Sequence, residues 1–174
     1  MRTKSILTAA AIALVASVLM VSGTISVAAQ GMRTQVFFAD LSGDEEVPPA
    51  DTNAQGVVTL RSTDEFSLFY VTVFDYRLIV NNIENVIAAH IHCAPAGVNG
   101  PVGVTLFSGP TASGPKNGVL VKDAFTAPNT DNGCGWVDLD DVLAALEADG
   151  AYVNVHTSGV PSGEIRGQLI GRRP

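Results

Sequence analysis

The stretch AHIHCAPAGVNGPV, residues 89–102, gives the plan of the fold: an apolar strand, a turn rich in Gly and Pro, and the start of a return strand. The stretch YVNVHTSGVPSGEIRGQLI, residues 152–170, follows the same plan, again with a histidine near the end of its first strand. Around both stretches the chain continues as short apolar runs separated by Gly, Pro, Asn and Asp. This punctuation is typical of an antiparallel β domain.

The apolar runs predict eight strands over the mature chain. We expect them at Gln35–Leu41, Gly56–Arg61, Glu65–Phe74, Asn85–Cys93, Val102–Phe107, Gly118–Lys122, Tyr152–Thr157 and Glu164–Ile170. The predicted fold class is therefore all-β, an antiparallel β-sandwich of Greek-key or superoxide-dismutase-like type. One short helix in the C-terminal third completes it.

That helix is predicted over Asp138–Gly150. Asp138 can cap the free amides of the first turn, and leucines at 139, 143 and 146 recur at helical spacing. Gly150 is expected to take the left-handed conformation that ends the helix. We expect the helix to pack on the sheet as a connector.

The N-terminal residues 1–29 have the pattern of a signal peptide. Arg2 and Lys4 precede the apolar run Ile6–Val21, and Val27 and Ala29 fit a small-x-small cleavage site after Ala29. An uncleaved membrane anchor is the alternative, because the uncharged run is nearly long enough to span a bilayer. We expect a short extension over residues 30–35, a single domain over 36–171, and a secreted or periplasmic location.

The charge of the mature chain excludes some partners. Removing Arg2 and Lys4 leaves eight basic and seventeen acidic residues, a formal charge of minus nine. An acidic surface without a Lys/Arg cluster argues against nucleic acid and anionic membranes.

The two cysteines, Cys93 and Cys134, are expected to form a disulfide, because an exported chain meets oxidising conditions. Two free thiols or a thiolate metal site are the alternatives.

All three histidines of the chain lie at the ends of two predicted strands. His90 and His92 are two apart and project from the same face of one strand, while His156 lies on another. Such an arrangement can build a three-imidazole site for zinc or copper, with Glu164 or a water as the fourth ligand. The alternative is that the imidazoles form local hydrogen bonds that fix the hairpin ends.

Two further polar groups favour structural roles. Glu164 and Arg166 share one strand face and can pair with each other or with neighbouring strands. The acidic turn Asp44-Glu45-Glu46 before the Pro48-Pro49 pair favours a solvated loop over a calcium or partner site. No phosphate-binding Gly loop, nucleophile elbow or Ser/His/Asp order is found, so we predict no catalytic residue.

Three blocks of sequence resemble the CHRD domain, a module first described in chordin. They are FFADLSG at 37–43 with EVPP at 46–49, AHIH at 89–92 with GVNGPV at 97–102, and YVNVHT at 152–157 with PSGEIRGQL at 161–169. The resemblance implies a secreted β-sandwich without an established reaction. Cys93 departs from the expected pattern, so a bridge to Cys134 would be a local addition.

Three functions remain open at this point. The first is a secreted binding or structural module without catalytic activity, whose partner is an unknown extracellular protein or matrix component. The second is a zinc- or copper-binding protein that uses His90, His92 and His156. The third is an enzyme similar to superoxide dismutase, which is disfavoured because a two-metal site needs more imidazoles than the chain supplies.

Overall fold

The structure is a computed structural model that describes residues 34–65, 71–109 and 114–172. The predicted signal peptide lies outside these residues, and within them no helix is long and apolar enough to cross a membrane. The described residues form β1 Thr34–Ser42, β2 Gln55–Glu65, β3 Val71–Glu84, β4 Val86–Cys93, β5 Val102–Ser108, β6 Pro115–Phe125, α1 Leu139–Glu147, β7 Ala151–Thr157, β8 Ile165–Gln168 and β9 Ile170–Gly171, with a short 3₁₀ turn at Gly43–Glu45.

The strands form one continuous antiparallel sheet rather than the two layers of the predicted sandwich. Its order is β5-β4-β7-β8-β1-β2-β3-β6, with β9 on β1. The sheet curves until it is nearly closed, and the Tyr76 hydroxyl of β3 donates a hydrogen bond of 2.6 Å to the Leu106 carbonyl of β5. Register shifts in the β3–β6, β4–β5 and β4–β7 pairs mark bulges. Because bulges bend strands, they allow one sheet to enclose the core.

The core fills the inside of this barrel-like sheet. Along β1, Phe37, Ala39 and Leu41 are buried, and the residues between them are more exposed. The same alternation places Val58 and Leu60 of β2 in the core. The burial of both strands thus follows the period of two that is expected for a strand with one face on the core.

Helix α1 follows its sequence pattern closely at its N-terminus. The Asp138 carboxylate accepts hydrogen bonds from the amides of Asp140 and Asp141, so the predicted cap is confirmed. At the other end, Asp149 takes the left-handed conformation with a φ of 52°. The prediction that Gly150 would do so is wrong, and the Gly150 amide instead donates to the Ala145 carbonyl.

The predicted strand Glu65–Phe74 is wrong in its bounds. Glu65 ends β2, Phe74 lies in β3, and residues 66–70 lie outside the described residues. Strand β3 continues to Glu84, over ten residues for which we predicted no strand. Here β3 pairs with both β2 and β6, and a bulge near Asn82 interrupts its period. An irregular central strand gives a weak alternation signal.

Candidate metal centre

The three histidines meet on one side of the β4–β7 pair. In its register Ala88 lies opposite His156, and His92 lies opposite Tyr152. One nitrogen from each of His90, His92 and His156 falls within 4.8 Å of the other two. Residues 66 apart in the chain are thereby brought together, and the side-by-side projection expected from strand pleating is present.

Backbone carbonyls set the orientation of two of these rings. His92 Nδ1 lies 2.8 Å from the Gly100 carbonyl, and His156 Nδ1 lies 2.9 Å from the Pro161 carbonyl. A carbonyl oxygen can only accept a hydrogen bond, so each Nδ1 carries the proton and each Nε2 presents a lone pair. His90 Nδ1 lies 3.0 Å from His156 Nε2. Hydrogen bonds of this type orient metal-binding imidazoles in many proteins.

The electrostatic surroundings keep the three imidazoles neutral. The pKa of His90 is lowered to about 4, mainly by burial and also by the neighbouring His156 and His92. Burial also lowers the pKa of His92 and of His156. A neutral imidazole is the form that binds a metal, so a cation would displace no proton from these rings at pH 7.

One atom of the cluster lacks a hydrogen-bond partner. His92 is only 8 % exposed, and no hydrogen bond of good geometry reaches its buried Nε2, although the Asn154 side chain lies close enough to the ring to act on its pKa. A buried polar atom in this state costs about 1–3 kcal/mol. A metal ion bound to Nε2 would satisfy it, so the residues present fit a zinc or copper ion.

Glu164, the predicted fourth ligand, does not belong to this cluster. Its two carboxylate oxygens accept hydrogen bonds from the hydroxyls of Thr52, at 2.8 Å, and Thr157, at 2.6 Å. Both oxygens are therefore engaged in joining the loop before β2 to the end of β7. A fourth ligand would have to be a solvent molecule or another small ligand.

Arg166 is buried among neutral partners, and the expected pairing with Glu164 is not among the contacts of the described residues. The guanidinium donates hydrogen bonds to the Val98 carbonyl, at 2.7 Å, and to Asn99 Oδ1, at 3.0 Å. It also lies 3.4 Å from the centre of the Tyr152 ring. A cation–π contact and two hydrogen bonds stabilise the charge, and the carboxyl of Glu46 is close enough to interact with it electrostatically. Arg166 thus fixes the turn after β4.

A polar cavity of about 290 Å³ lies beside His92. Its walls come from three loops and from β7, and its lining includes Glu46, Gly100, Tyr152, Asn154 and Gly163. The loop of Glu46 is tied to the turn after β4, because Asn99 Nδ2 donates to the Val47 carbonyl at 2.7 Å.

Glu46 is the residue that sequence reasoning missed. We predicted a solvated acidic turn, and Asp44 and Glu45 are exposed as expected, but Glu46 is only 6 % exposed. Burial raises the pKa of its carboxyl to about 7, although the charge of Arg166 acts to lower it. The only pointer in the sequence was its position directly before the apolar Val47-Pro48-Pro49 segment.

The disulfide between Cys93 and Cys134 is present, with its Cα atoms 5.8 Å apart. Cys93 is the last residue of β4 and follows His92 directly. The bridge therefore attaches the segment before α1 to the strand end that carries two of the three histidines.

Comparison with known proteins gives one result. A protein-family model described as CHRD domain matches residues 37–169, from β1 to the end of β8. No curated protein and no solved structure matches the chain.

Proposed function

This chain belongs to the CHRD-domain family, and from that premise we propose that it is an extracytoplasmic binding module whose ligand is a zinc or copper ion. The ion would be held by His90, His92 and His156. The family is generally non-catalytic, and we propose no reaction.

The observation that carries this proposal is the state of the imidazole nitrogens. Two rings are oriented by backbone carbonyls that accept from their Nδ1 atoms. The Nε2 of His156 lies 3.0 Å from His90 Nδ1, whereas the Nε2 of His92 is buried without a hydrogen bond. Imidazoles that served only as structural hydrogen-bond groups would be expected to have both nitrogens satisfied. The arrangement therefore supports a ligand that accepts a lone pair.

The chemistry of the donors narrows the choice of ion. Three imidazoles without a thiolate or a free carboxylate suit Zn²⁺ or Cu²⁺ rather than Ca²⁺ or Mg²⁺, which prefer oxygen ligands. In a tetrahedral zinc site, bonds of 2.0–2.1 Å separate ligand nitrogens by about 3.3 Å. The candidate ligand atoms lie within 4.8 Å of one another, so small ring movements would close the site.

Metal titration of the purified, chelator-treated protein tests the proposal. We expect one equivalent of Zn²⁺ or Cu²⁺ to bind, with a Kd tighter than about 10 µM, measured by calorimetry. His92→Ala should weaken binding by more than the roughly 10- to 100-fold that loss of a supporting hydrogen bond costs.

The matched control is Glu45→Ala, which removes an exposed carboxylate from the acidic turn and should leave the Kd unchanged. Circular dichroism checks that each variant is folded. Absence of saturable binding, or equal binding by His92→Ala, would leave the histidines with a structural role in a module that binds by other means.

A further inference from the structure

In the part of the chain that the structure describes, buried polar atoms without a hydrogen-bond partner are concentrated at the cavity beside His92. Among the described residues, four buried side-chain atoms lack a hydrogen-bond partner: Glu46 Oε1, His92 Nε2, Asn154 Oδ1 and Gln168 Oε1. The first three belong to residues that line this one cavity. All three residues are at least nine-tenths buried, with exposures of 6 %, 8 % and 3 %. Such a concentration indicates a built polar site.

The chemistry of these three atoms defines what can satisfy them. His92 Nε2 presents a lone pair, and the Asn154 carbonyl oxygen and the Glu46 carboxylate oxygen are hydrogen-bond acceptors. A ligand that complements them must supply N–H or O–H donors toward the two oxygens. A metal ion on His92 Nε2 would satisfy the third atom.

We propose that this cavity holds the exogenous ligand of the metal centre: a small protic molecule that binds the ion through one lone pair and donates hydrogen bonds to Glu46 and Asn154. The inference rests on the proposed function, since it needs an ion on the three histidines. Glu46 and Asn154 would be positioning residues, which select the ligand without binding the metal.

Gly163 leaves room for the side chains of Glu46 and Asn154 beside the cavity. Its backbone φ is 130°, a value that residues with a side chain rarely adopt. A Cβ placed here would lie 2.5 Å from Glu46 Oε1 and 2.9 Å from Asn154 Nδ2. Both side chains therefore occupy the space that any other residue at 163 would take, and glycine is needed for them to face the cavity together.

The walls of the cavity are held by hydrogen bonds that need no ligand. The Gly100 amide donates to the Tyr152 hydroxyl at 3.2 Å, and the Ala50 amide donates to the Gly43 carbonyl at 2.9 Å. With the bond from Asn99 to Val47, these contacts fix three sides. At about 290 Å³ the cavity lies at the lower end of the range for small-molecule sites, so the ligand is a small one.

Two probe molecules distinguish a hydrogen-bonding site from a merely open one. Imidazole and 1-methylimidazole bind metals through the same type of nitrogen, but only imidazole retains an N–H donor. Protein loaded with Co²⁺ is titrated with each probe, and binding is followed by visible absorption. Metal analysis after gel filtration confirms that the ion stays bound.

At pH 8, where the carboxyl of Glu46 is mostly ionised, the wild-type protein is expected to bind imidazole about tenfold more tightly than 1-methylimidazole, the effect of one hydrogen bond to a charged acceptor. Glu46→Met keeps the volume of the side chain but removes the acceptor, so the preference should vanish. Glu45→Met, on the exposed neighbour, should keep it. If Glu46→Met does not fold, Glu46→Gln replaces it, and its uncharged oxygen should reduce the preference to about threefold.

The outcomes separate this inference from the function on which it rests. A wild-type protein that binds Co²⁺ but both probes equally overturns the inference alone. A tenfold preference that survives in the Glu46 variants also overturns it, because the added methyl group would then be excluded by shape. A protein that binds no Co²⁺ overturns both.

Discussion

Glu46→Gln is expected to change the pH dependence of stability in the metal-free protein. In the folded state burial raises the pKa of the Glu46 carboxyl from 4.5 to about 7. Between these two values the folded protein holds a proton that the unfolded chain releases. The carboxyl therefore stabilises the fold increasingly as the pH falls from 7 to 5.

The magnitude follows from the size of the shift. One pKa unit corresponds to about 1.4 kcal/mol, so the full effect is about 3 kcal/mol. Roughly 2 kcal/mol of it develops between pH 7 and pH 5, because at pH 7 the folded carboxyl is already half protonated.

The histidines have the opposite effect on stability, because they destabilise the fold as the pH falls. The pKa of His90 is lowered from 6.5 to about 4, so below pH 6.5 the unfolded chain binds a proton that the folded protein excludes. Acidification from pH 7 to pH 5 then costs about 2 kcal/mol from His90, and His92 and His156 add to the loss. In the wild type, Glu46 offsets much of this loss.

Urea unfolding at pH 7 and pH 5, in the presence of a chelator, measures how much the free energy of unfolding changes on acidification. Trp136, the one tryptophan of the chain, packs against the core and reports unfolding by its fluorescence. Relative to the wild type, Glu46→Gln should lose about 2 kcal/mol more on acidification, and the exposed Glu45→Gln should follow the wild type. Parallel profiles for the wild type and Glu46→Gln would refute the assignment of a buried, proton-holding Glu46.

Two further predictions concern the closure of the fold. Tyr76→Phe leaves the Leu106 carbonyl without its hydrogen bond across the barrel and should lower the free energy of unfolding by about 1–2 kcal/mol at an unchanged m-value in urea; a variant as stable as the wild type would show that this bond does not hold the sheet closed. Replacing Cys93 and Cys134 together by serine opens a bridge with a sequence separation of 41 and should cost about 4 kcal/mol on the chain-entropy model. Thermal unfolding measures this loss of stability, and a melting temperature equal to that of the bridged wild type would contradict the prediction.

The parts of the fold that depend on local pattern were predictable from the sequence. The apolar run Gln35–Leu41 marked β1, in which Phe37, Ala39 and Leu41 alternate into the core, and Asp138 marked the start of α1. The closure of one sheet was not predictable, because alternation says which side of a strand is buried but not whether the sheet splits into layers. That outcome depends on bulges and on pairing between distant strands.

Part of the candidate site was likewise predictable from the sequence, and part was not. Pleating was enough to place His90 beside His92, and the similar hairpin plan suggested His156 as their neighbour. The sequence did not show that the Glu164 oxygens are taken by Thr52 and Thr157, or that Glu46 is buried. The Thr52–Glu164 bond and the burial of Glu46 against Gly163 join loops more than 100 residues apart in sequence, and no local periodicity records such contacts.

For the proposed metal centre, the pairing of β4 with β7 determines when an ion could bind. Strand β4 ends at Cys93 and β7 begins at Ala151, so the three imidazoles converge only after both halves of the domain have been joined. In a nascent or unfolded chain only His90 and His92 are held near each other, and two imidazoles are too few for a stable complex. Loading would therefore be the last event in maturation, and the bound ion would mark a domain that has finished folding.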